Sequence, residues 1–230
     1  MTLALPTPTE ADSALVRTAG WALARHGFVH AYGHCSLRLD ARHFLVSPAT
    51  PLGLVGVDEA CSVVGLDGPL PEGVLGEVRI HREIYRRRPE VNGVVRSMPP
   101  KAMTLGTLRL TPKPRHGMGS YFAPKPPLWD DPQLLRSDEQ AAALAETLGD
   151  ARAILMRGNG VVTAGTSLKE AVVLTRFLED ACRIELECLT SGLADQGAVL
   201  DADEACERAT WSGRIMDRMW DYLTRPPTRA

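Results

Sequence analysis

A tight turn between two short apolar runs is the feature that most restricts how this chain can fold. The residues RGNG at 157–160 separate Ala153–Met156 from a second apolar run at 161–163. Glycine and asparagine tolerate turn conformations that other residues avoid, so this pattern predicts two short strands that flank a tight turn. Asn159 has two interpretations: it either supplies a positive φ to the turn or offers its amide to a substrate.

Helical segments alternate with short strands along the rest of the chain. Three residue pairs have the spacing of a capping box, which satisfies free N–H groups at a helix start. They are Thr9 with Asp12, Ser137 with Gln140, and Ser167 with Glu170. The predicted helices cover 9–27, 76–88, 99–108, 137–148, 167–189 and 202–223, and further strands are predicted at 35–39, 43–47, 60–66 and 91–95. Interspersed helices and strands indicate a layered α/β domain.

The chain shows neither an internal repeat nor a linker between domains. The proline-rich segment 111–132 favours an ordered loop over a helix, because proline removes a backbone donor and clashes with the preceding turn. We therefore expect a lead-in at 1–8, one domain at 9–225 and a short tail at 226–230.

Composition and charge exclude several classes of protein. Hydrophobic residues make up 44% and charged residues 23%, which is typical of a globular chain. The formal net charge of −2 argues against the basic surface that would bind nucleic acid or membranes. The sequence lacks both an apolar stretch of ~20 residues and the features of a signal peptide. We expect a cytoplasmic protein whose five cysteines are reduced.

Five short phrases occur in an order and spacing that together indicate a known family. They are GHCSLRL at 33–39, FLVSPAT at 44–50, LGEVRIH at 75–81, PEVNGVVRSMP at 89–99 and LMRGNGVV at 155–162. In this order the chain resembles the class II aldolase/adducin family over about residues 12–190. The resemblance implies a single-domain, three-layer α/β fold with a central, mainly antiparallel sheet flanked by helices. It also implies a homo-oligomer, with a tetramer favoured.

The resemblance further implies a divalent cation held by three histidines, and all three are replaced here. The corresponding positions hold Arg96, Met98 and Asn159. A guanidinium has no lone pair to donate, a thioether is a weak and soft ligand, and an amide offers only its oxygen. We therefore expect no metal and no cofactor. A new metal site built from His30 and His34 with His81 or His116 stays open as an alternative.

The positions that bind phosphate in some family members have changed as well. The resemblance places them at His34, at Ala49 and Thr50, and at Leu75 and Gly76. Most of the hydroxyl and amide donors that would cradle an anion are gone. A non-phosphorylated substrate and a more apolar pocket are therefore expected.

The polar residues that remain near these motifs form the candidate site. Glu77 is interpreted as a proton-transfer group or as an exposed acid at a helix start. Arg96 is interpreted as the binder of a carboxylate or enolate oxygen, or as a structural partner of Glu77. His34 and Lys101 complete the predicted catalytic set, or are a hydrogen-bonded loop histidine and a solvated lysine. The predicted substrate-binding residues are Ser47, Thr50, Met98, Asn159, His116 and Tyr121.

The sequence favours a metal-independent, lyase-type enzyme that acts on a small, non-phosphorylated, carboxylate-bearing or aromatic substrate. Retro-aldol cleavage, decarboxylation, dehydration and related proton-transfer or cyclisation steps all fit this description, and secondary metabolism is one setting for such steps. The alternative is a non-catalytic, adducin-like binding or scaffold protein. A concave pocket lined by Glu77 and Arg96 would favour an enzyme or ligand binder. A filled pocket, in which Arg96 pairs with groups of the protein itself, would favour a scaffold.

Overall fold

A seven-stranded mixed sheet, in the order β3-β2-β1-β4-β7-β6-β5, organises the computed structural model, which describes residues 5–225. The strands are β1 (His34–Arg38), β2 (His43–Val46), β3 (Ser62–Gly65), β4 (Gly93–Ser97), β5 (Leu128–Trp129), β6 (Ala153–Met156) and β7 (Gly160–Gly165). Every neighbouring pair is antiparallel except β5 and β6, which are parallel. The expected central, mainly antiparallel sheet is confirmed.

Helices cover both faces of the sheet and give the fold three layers. They are α1 (Glu10–Arg25), α2 (Arg79–Arg87), α3 (Pro100–Thr107), α4 (Asp138–Leu148), α5 (Leu168–Thr190), α6 (Ala202–Arg208) and α7 (Ile215–Thr224). Residues of α2 and α4 form one buried apolar cluster with the sheet, and residues of α1, α3, α5 and α7 form the other. Successive strand residues point to opposite faces, so most strands contribute to both clusters, whereas β1 places His34, Ser36 and Arg38 on the α2 face and contributes apolar residues to one cluster only.

Two of the three predicted capping boxes form in full, and the third forms in half. The side chains of Thr9 and Ser137 accept from backbone N–H groups three residues later, and both reciprocal bonds are present. Ser167 also caps α5, but the Glu170 carboxylate turns instead to the backbone N–H of Thr166, at 2.9 Å. The predicted bond from the backbone N–H of Ser167 to the Glu170 carboxylate was therefore wrong, because the N–H of Thr166 takes that carboxylate instead.

The predicted final helix, 202–223, is broken into two. Gly213 and Arg214 both adopt positive φ, at 68° and 60°, between α6 and α7. Trp211 packs on the Tyr121 ring with 4.5 Å between centroids, and the Tyr121 hydroxyl donates to the carbonyl of Thr210. An amphipathic pattern continues through this break, since apolar residues on both sides still face the core.

The other boundaries shift by a few residues. The predicted helix 76–88 begins as a 3₁₀ turn, Gly76–Val78, before α2 starts. The predicted strand 91–95 lies at Gly93–Ser97 because Val91 closes a turn with Arg88. This shift places Arg96 within a strand. The proline-rich segment is mostly loop, with a 3₁₀ turn at Gly119–Phe122 and the short β5.

Some expectations concern chain ends, cysteines and membranes. The predicted tail, 226–230, and the first four residues of the lead-in lie outside the described residues. All five cysteines are free thiols in the structure. Within residues 5–225, none of the helices combines the length and apolar character needed to cross a bilayer.

Candidate active site

The register of the sheet places His34 and Arg96 side by side. His34 opens β1, and its partner on β4 is Arg96. Opposed residues on antiparallel strands present their side chains on the same face, here the face covered by α2. The 3₁₀ turn before α2 brings Glu77 to this place, and the turn between β6 and β7 brings Asn159. Four polar side chains from four segments therefore meet at one end of β1 and β4.

Arg96 is the centre of this group, and its side chain is only 3% exposed. Its Nε lies 3.2 Å from Glu77 Oε2, and its Nη2 donates to Asn159 Oδ1 at 2.6 Å. The ion pair with Glu77, one of the two interpretations of Arg96 from the sequence, is therefore present. The amide interpretation of Asn159 gains support, because positive φ occurs at Gly158 and Gly160 and not at Asn159. The interpretation of Asn159 as a positive-φ residue was wrong.

Several polar atoms of this group are buried without a hydrogen-bond partner among the described residues. They are Arg96 Nε and Nη1, Asn159 Nδ2, His34 Nε2 and Glu77 Oε1, together with the hydroxyl of Ser97, which follows Arg96 in the chain. A buried polar atom left unpaired costs about 1–3 kcal/mol, and native proteins rarely leave several of them together. Such a concentration is typical of a site whose polar atoms are satisfied by a ligand or by water.

The charges in the site follow from burial and from close neighbours. Burial by itself raises the pKa of the Glu77 carboxyl, but His34 and Arg96 together lower that pKa below its usual value. Burial lowers the pKa of His34, and it lowers the pKa of His81 well below its usual value. At neutral pH the site therefore holds an ionised Glu77, a charged Arg96 and two neutral imidazoles.

A chain of hydrogen bonds leads from His34 into the protein. His34 Nδ1 lies 2.8 Å from His81 Nε2, and His81 Nδ1 lies 2.6 Å from the Ser36 hydroxyl. That hydroxyl lies 2.9 Å from the Tyr85 hydroxyl, which donates to the Ser36 carbonyl at 3.0 Å. Ser36 was missed as a site residue, and His81 was considered only as a ligand in the alternative of a new metal site. The spacing of Glu77 and His81 by four residues was the available signal, because it suits one turn of a helix.

The comparison with known families identifies the architecture. Residues 14–186 match the sequence profile described as the Class II Aldolase and Adducin N-terminal domain. The chain belongs to this family. The resemblance found in the five sequence phrases is thereby confirmed.

Relatives in this family include both decarboxylases and aldolases. The chain is 28% identical over 191 residues to a 3,4-dihydroxyphthalate decarboxylase of Arthrobacter keyseri, covering 75% of each chain. It is 27% identical over 197 residues to the decarboxylase tropJ of Talaromyces stipitatus, covering 75% of this chain and 74% of that one. The crystal structure of an l-fuculose-1-phosphate aldolase from Thermus thermophilus aligns with a TM-score of 0.71 and 29% identity, covering 80% of this chain and 98% of that chain.

The side chains at the family's metal-ligand positions do not fit a divalent cation in this member. Arg96 places a positive charge against Glu77 and Asn159, and a second cation beside that guanidinium would be repelled. Of the histidines considered for a new site, His34 and His81 contact each other, while His30 is exposed beside Tyr32. Within residues 5–225, no three His, Cys, Asp or Glu side chains are grouped as metal ligands.

Three predicted substrate-binding residues lie in the segments that follow β2 and β4. Met98 follows β4 and approaches the Gly160 backbone, next to Asn159. The Ser47 hydroxyl accepts from the backbone N–H of Cys35 at 3.3 Å. Thr50 donates its hydroxyl to the Glu59 carboxylate and is therefore already engaged.

Three other predicted residues are not brought to Glu77 and Arg96 within this chain. Lys101 is exposed at the start of α3, where its backbone N–H donates to Glu179. His116 accepts from the N–H of Met118 through Nδ1, at 3.3 Å, and Tyr121 packs in the cluster on the opposite face. Lys101 lies at the start of α3, and the other two lie in the proline-rich segment beyond that helix; both segments pack on the α5 face of the sheet.

Proposed function

We propose that this chain is a lyase of the decarboxylase type that acts on a small, non-phosphorylated aromatic carboxylate without a catalytic metal. One observation carries the proposal: Arg96 stands at a metal-ligand position of the family, is buried, and has a free Nη1 beside an ionised Glu77. A guanidinium binds carboxylate and phenolate oxygens well and supplies a fixed positive charge. Arg96 thus takes the place of the family's metal cation as the positive group that stabilises a negative oxygen.

The substrate class follows from what the site lacks as well as from the relatives. The two curated relatives described above are named as decarboxylases, and one name specifies an aromatic diacid. A phosphate is disfavoured because Thr50 is bonded to the anionic Glu59 and because Leu75 replaces a hydroxyl donor. The exposed Leu75 beside Glu77 instead offers an apolar contact for an aromatic ring.

Proton transfer through Glu77 gives a balanced reaction on a hydroxylated aromatic acid. The ionised Glu77 accepts the proton of a substrate hydroxyl at Oε1 and then delivers it to the ring carbon that carries the carboxylate. The bond between that carbon and the carboxylate breaks, carbon dioxide leaves, and the electron pair restores the aromatic ring. Arg96 stabilises the negative oxygen throughout, and the phenolate product regains a proton from water.

The ion pair between Arg96 and Glu77 is also the observation that favours a non-catalytic binding or scaffold protein. A purely structural pair, however, is normally surrounded by hydrogen bonds that satisfy its remaining atoms. Here Arg96 Nη1 and Glu77 Oε1 have no such bonds among residues 5–225, which supports a ligand site. The homo-oligomer and the cytoplasmic location stay predictions, and light scattering tests the first of them.

Release of carbon dioxide tests the proposed function directly. The protein is incubated with 3,4-dihydroxyphthalate, named in the relative above, and with protocatechuate and salicylate. We expect release from at least one of these acids, at the same rate before and after dialysis against a chelator, with negligible metal by plasma mass spectrometry. No release from any of them would contradict decarboxylation, and activity restored only by a divalent metal would contradict metal independence.

Replacing Arg96 with methionine tests whether Arg96 binds the anion. Loss of a buried, charge-assisted hydrogen bond costs about 2–5 kcal/mol, so the affinity for salicylate should fall by at least about 30-fold. The pKa of Glu77 should rise, because Arg96 is one of the groups that lower it. Calorimetric titration measures the affinity, with Arg42→Met as an exposed control. Unchanged affinity in a folded Arg96→Met protein would show that Arg96 is structural.

A further inference from the structure

We propose that Ser36 and His81 fix the tautomer of His34, so that His34 presents an N–H donor at Nε2 to the site. The inference deepens the proposed function, since its catalytic meaning rests on that function. The tautomer itself is a property of the free protein and is tested without a substrate.

The geometry forms a continuous chain of buried groups. His34, Ser36 and His81 are each 1% exposed or less. Both imidazoles use one nitrogen to contact each other, at 2.8 Å between His34 Nδ1 and His81 Nε2. The other nitrogen of His81 faces the Ser36 hydroxyl, and the other nitrogen of His34 faces Glu77 Oε2 at 3.9 Å. Each neutral imidazole carries one ring proton. A fixed donor at either end, Ser36 or His34, therefore fixes the direction of donation along all the hydrogen bonds of the chain.

Two directions of donation are possible, and the charge of Glu77 selects one. In the first, Ser36 donates to His81, His81 donates to His34, and the N–H of His34 at Nε2 faces the carboxylate. In the reverse direction a lone pair of His34 would face the negative charge of Glu77, which is repulsive. In this direction the single Ser36 hydroxyl proton goes to His81 Nδ1, and the Tyr85 hydroxyl, which donates to the Ser36 carbonyl at 3.0 Å, faces the Ser36 hydroxyl at 2.9 Å as a donor and not as an acceptor.

A fixed tautomer completes a set of N–H donors beside the Glu77 carboxylate. Arg96 Nη1, Asn159 Nδ2 and His34 Nε2 then offer N–H groups, Glu77 Oε1 offers a carboxylate oxygen, and the Ser97 hydroxyl can donate or accept. This arrangement is complementary to an anionic oxygen that lies next to a hydroxyl, as in a hydroxylated aromatic acid. His81 and Ser36 touch no substrate in this scheme and are positioning residues.

Nitrogen-15 NMR of the histidine side chains tests the inference on the free protein. We expect the His34 signals of a neutral ring protonated at Nε2, with Nδ1 unprotonated. His81→Phe and Ser36→Ala should shift His34 toward a mixture of tautomers, whereas His81→Gln, whose amide N–H can still donate to Nδ1, should preserve it. Tyr85→Phe is the matched control, because it removes a hydroxyl that the chain does not need. A His34 protonated at Nδ1 in the parent, or unaltered by both His81→Phe and Ser36→Ala, would overturn the proposal.

Kinetics on an acid that the parent decarboxylates add a second readout. Ser36→Ala should lower kcat by about 10–100-fold with little change in KM, as for other histidines oriented by a second group. Ser36→Thr, which retains the hydroxyl, should recover most of that loss. If the NMR result is as expected but the parent releases no carbon dioxide, the tautomer inference stands and the proposed function fails. Full kcat in Ser36→Ala would contradict a role for the chain in turnover.

Discussion

Replacing Glu77 with glutamine is expected to lower turnover by about 10²–10⁴-fold while leaving the affinity for salicylate within a few fold of the parent. Glutamine keeps the size of the side chain and an oxygen near Arg96, but its amide neither accepts nor delivers a proton at neutral pH. Glu77 Oε1 is the one carboxylate oxygen of the site that is buried without a hydrogen-bond partner among the described residues. The loss should therefore fall on kcat, which is measured with the acid that releases carbon dioxide most rapidly.

Glu72→Gln is a suitable control for this experiment, because Glu72 lies exposed only five residues earlier in the same segment. It should behave as the parent in both turnover and binding. Calorimetric titration with salicylate separates binding from turnover in both variants. Normal turnover in Glu77→Gln would remove Glu77 from the mechanism, even if Arg96 proved essential for binding.

Replacing Gly93 with alanine is expected to destabilise the fold by at least about 3 kcal/mol, which corresponds to a fall in Tm of about 6–12 °C for a domain of this size. Gly93 opens β4 and lies directly beneath the start of α5. A Cβ at this position would lie 2.4 Å from both the Cα and the N of Leu168. Backbone atoms at that distance cannot rotate away as a flexible side chain can, so the helix or the strand must move.

Gly56→Ala is the matched control, because a Cβ there would meet no atom within 4 Å and the backbone needs no positive φ. It should be neutral or slightly stabilising, by up to about 1 kcal/mol, since alanine restricts the unfolded chain. Thermal and denaturant unfolding measure both variants. A Tm for Gly93→Ala within a degree or two of the parent would show that β4 and α5 separate easily. In that case the packing against the glycine would not hold Arg96 in place.

Local chemistry in the sequence was sufficient to predict much of the fold. The capping residues Thr9 and Ser137 mark helix starts because their side chains satisfy nearby backbone N–H groups, which requires no distant partner. The turn at 157–160 was found for a similar reason, since Gly158 and Gly160 take up the positive φ values that other residues avoid. The break between α6 and α7 was missed because the Trp211–Tyr121 contact that accompanies it joins residues ninety positions apart in the chain.

The candidate site could be predicted only in part. The family phrases identified Glu77, Arg96, His34 and Asn159 as a group. The other candidates, Lys101, His116 and Tyr121, lie on α3 and in the proline-rich segment beyond it, which pack on the other face of the sheet. Neither the phrases nor the periodicity indicated that His81 contacts His34. Periodicity shows which residues face the interior, whereas hydrogen bonds between distant elements depend on how those elements pack.

The sequence by itself therefore determined the family, the layered α/β architecture and the loss of the three metal-binding histidines, because each of these depends on residue identity and short-range spacing. The tertiary structure alone decided which polar atoms meet. The pairing of β1 with β4 placed His34 beside Arg96, and the packing of α2 on the same face brought Glu77 and His81 to them. The physical reason is that a hydrogen bond forms over about 3 Å, a precision that arises only once the sheet register and the helix positions are fixed.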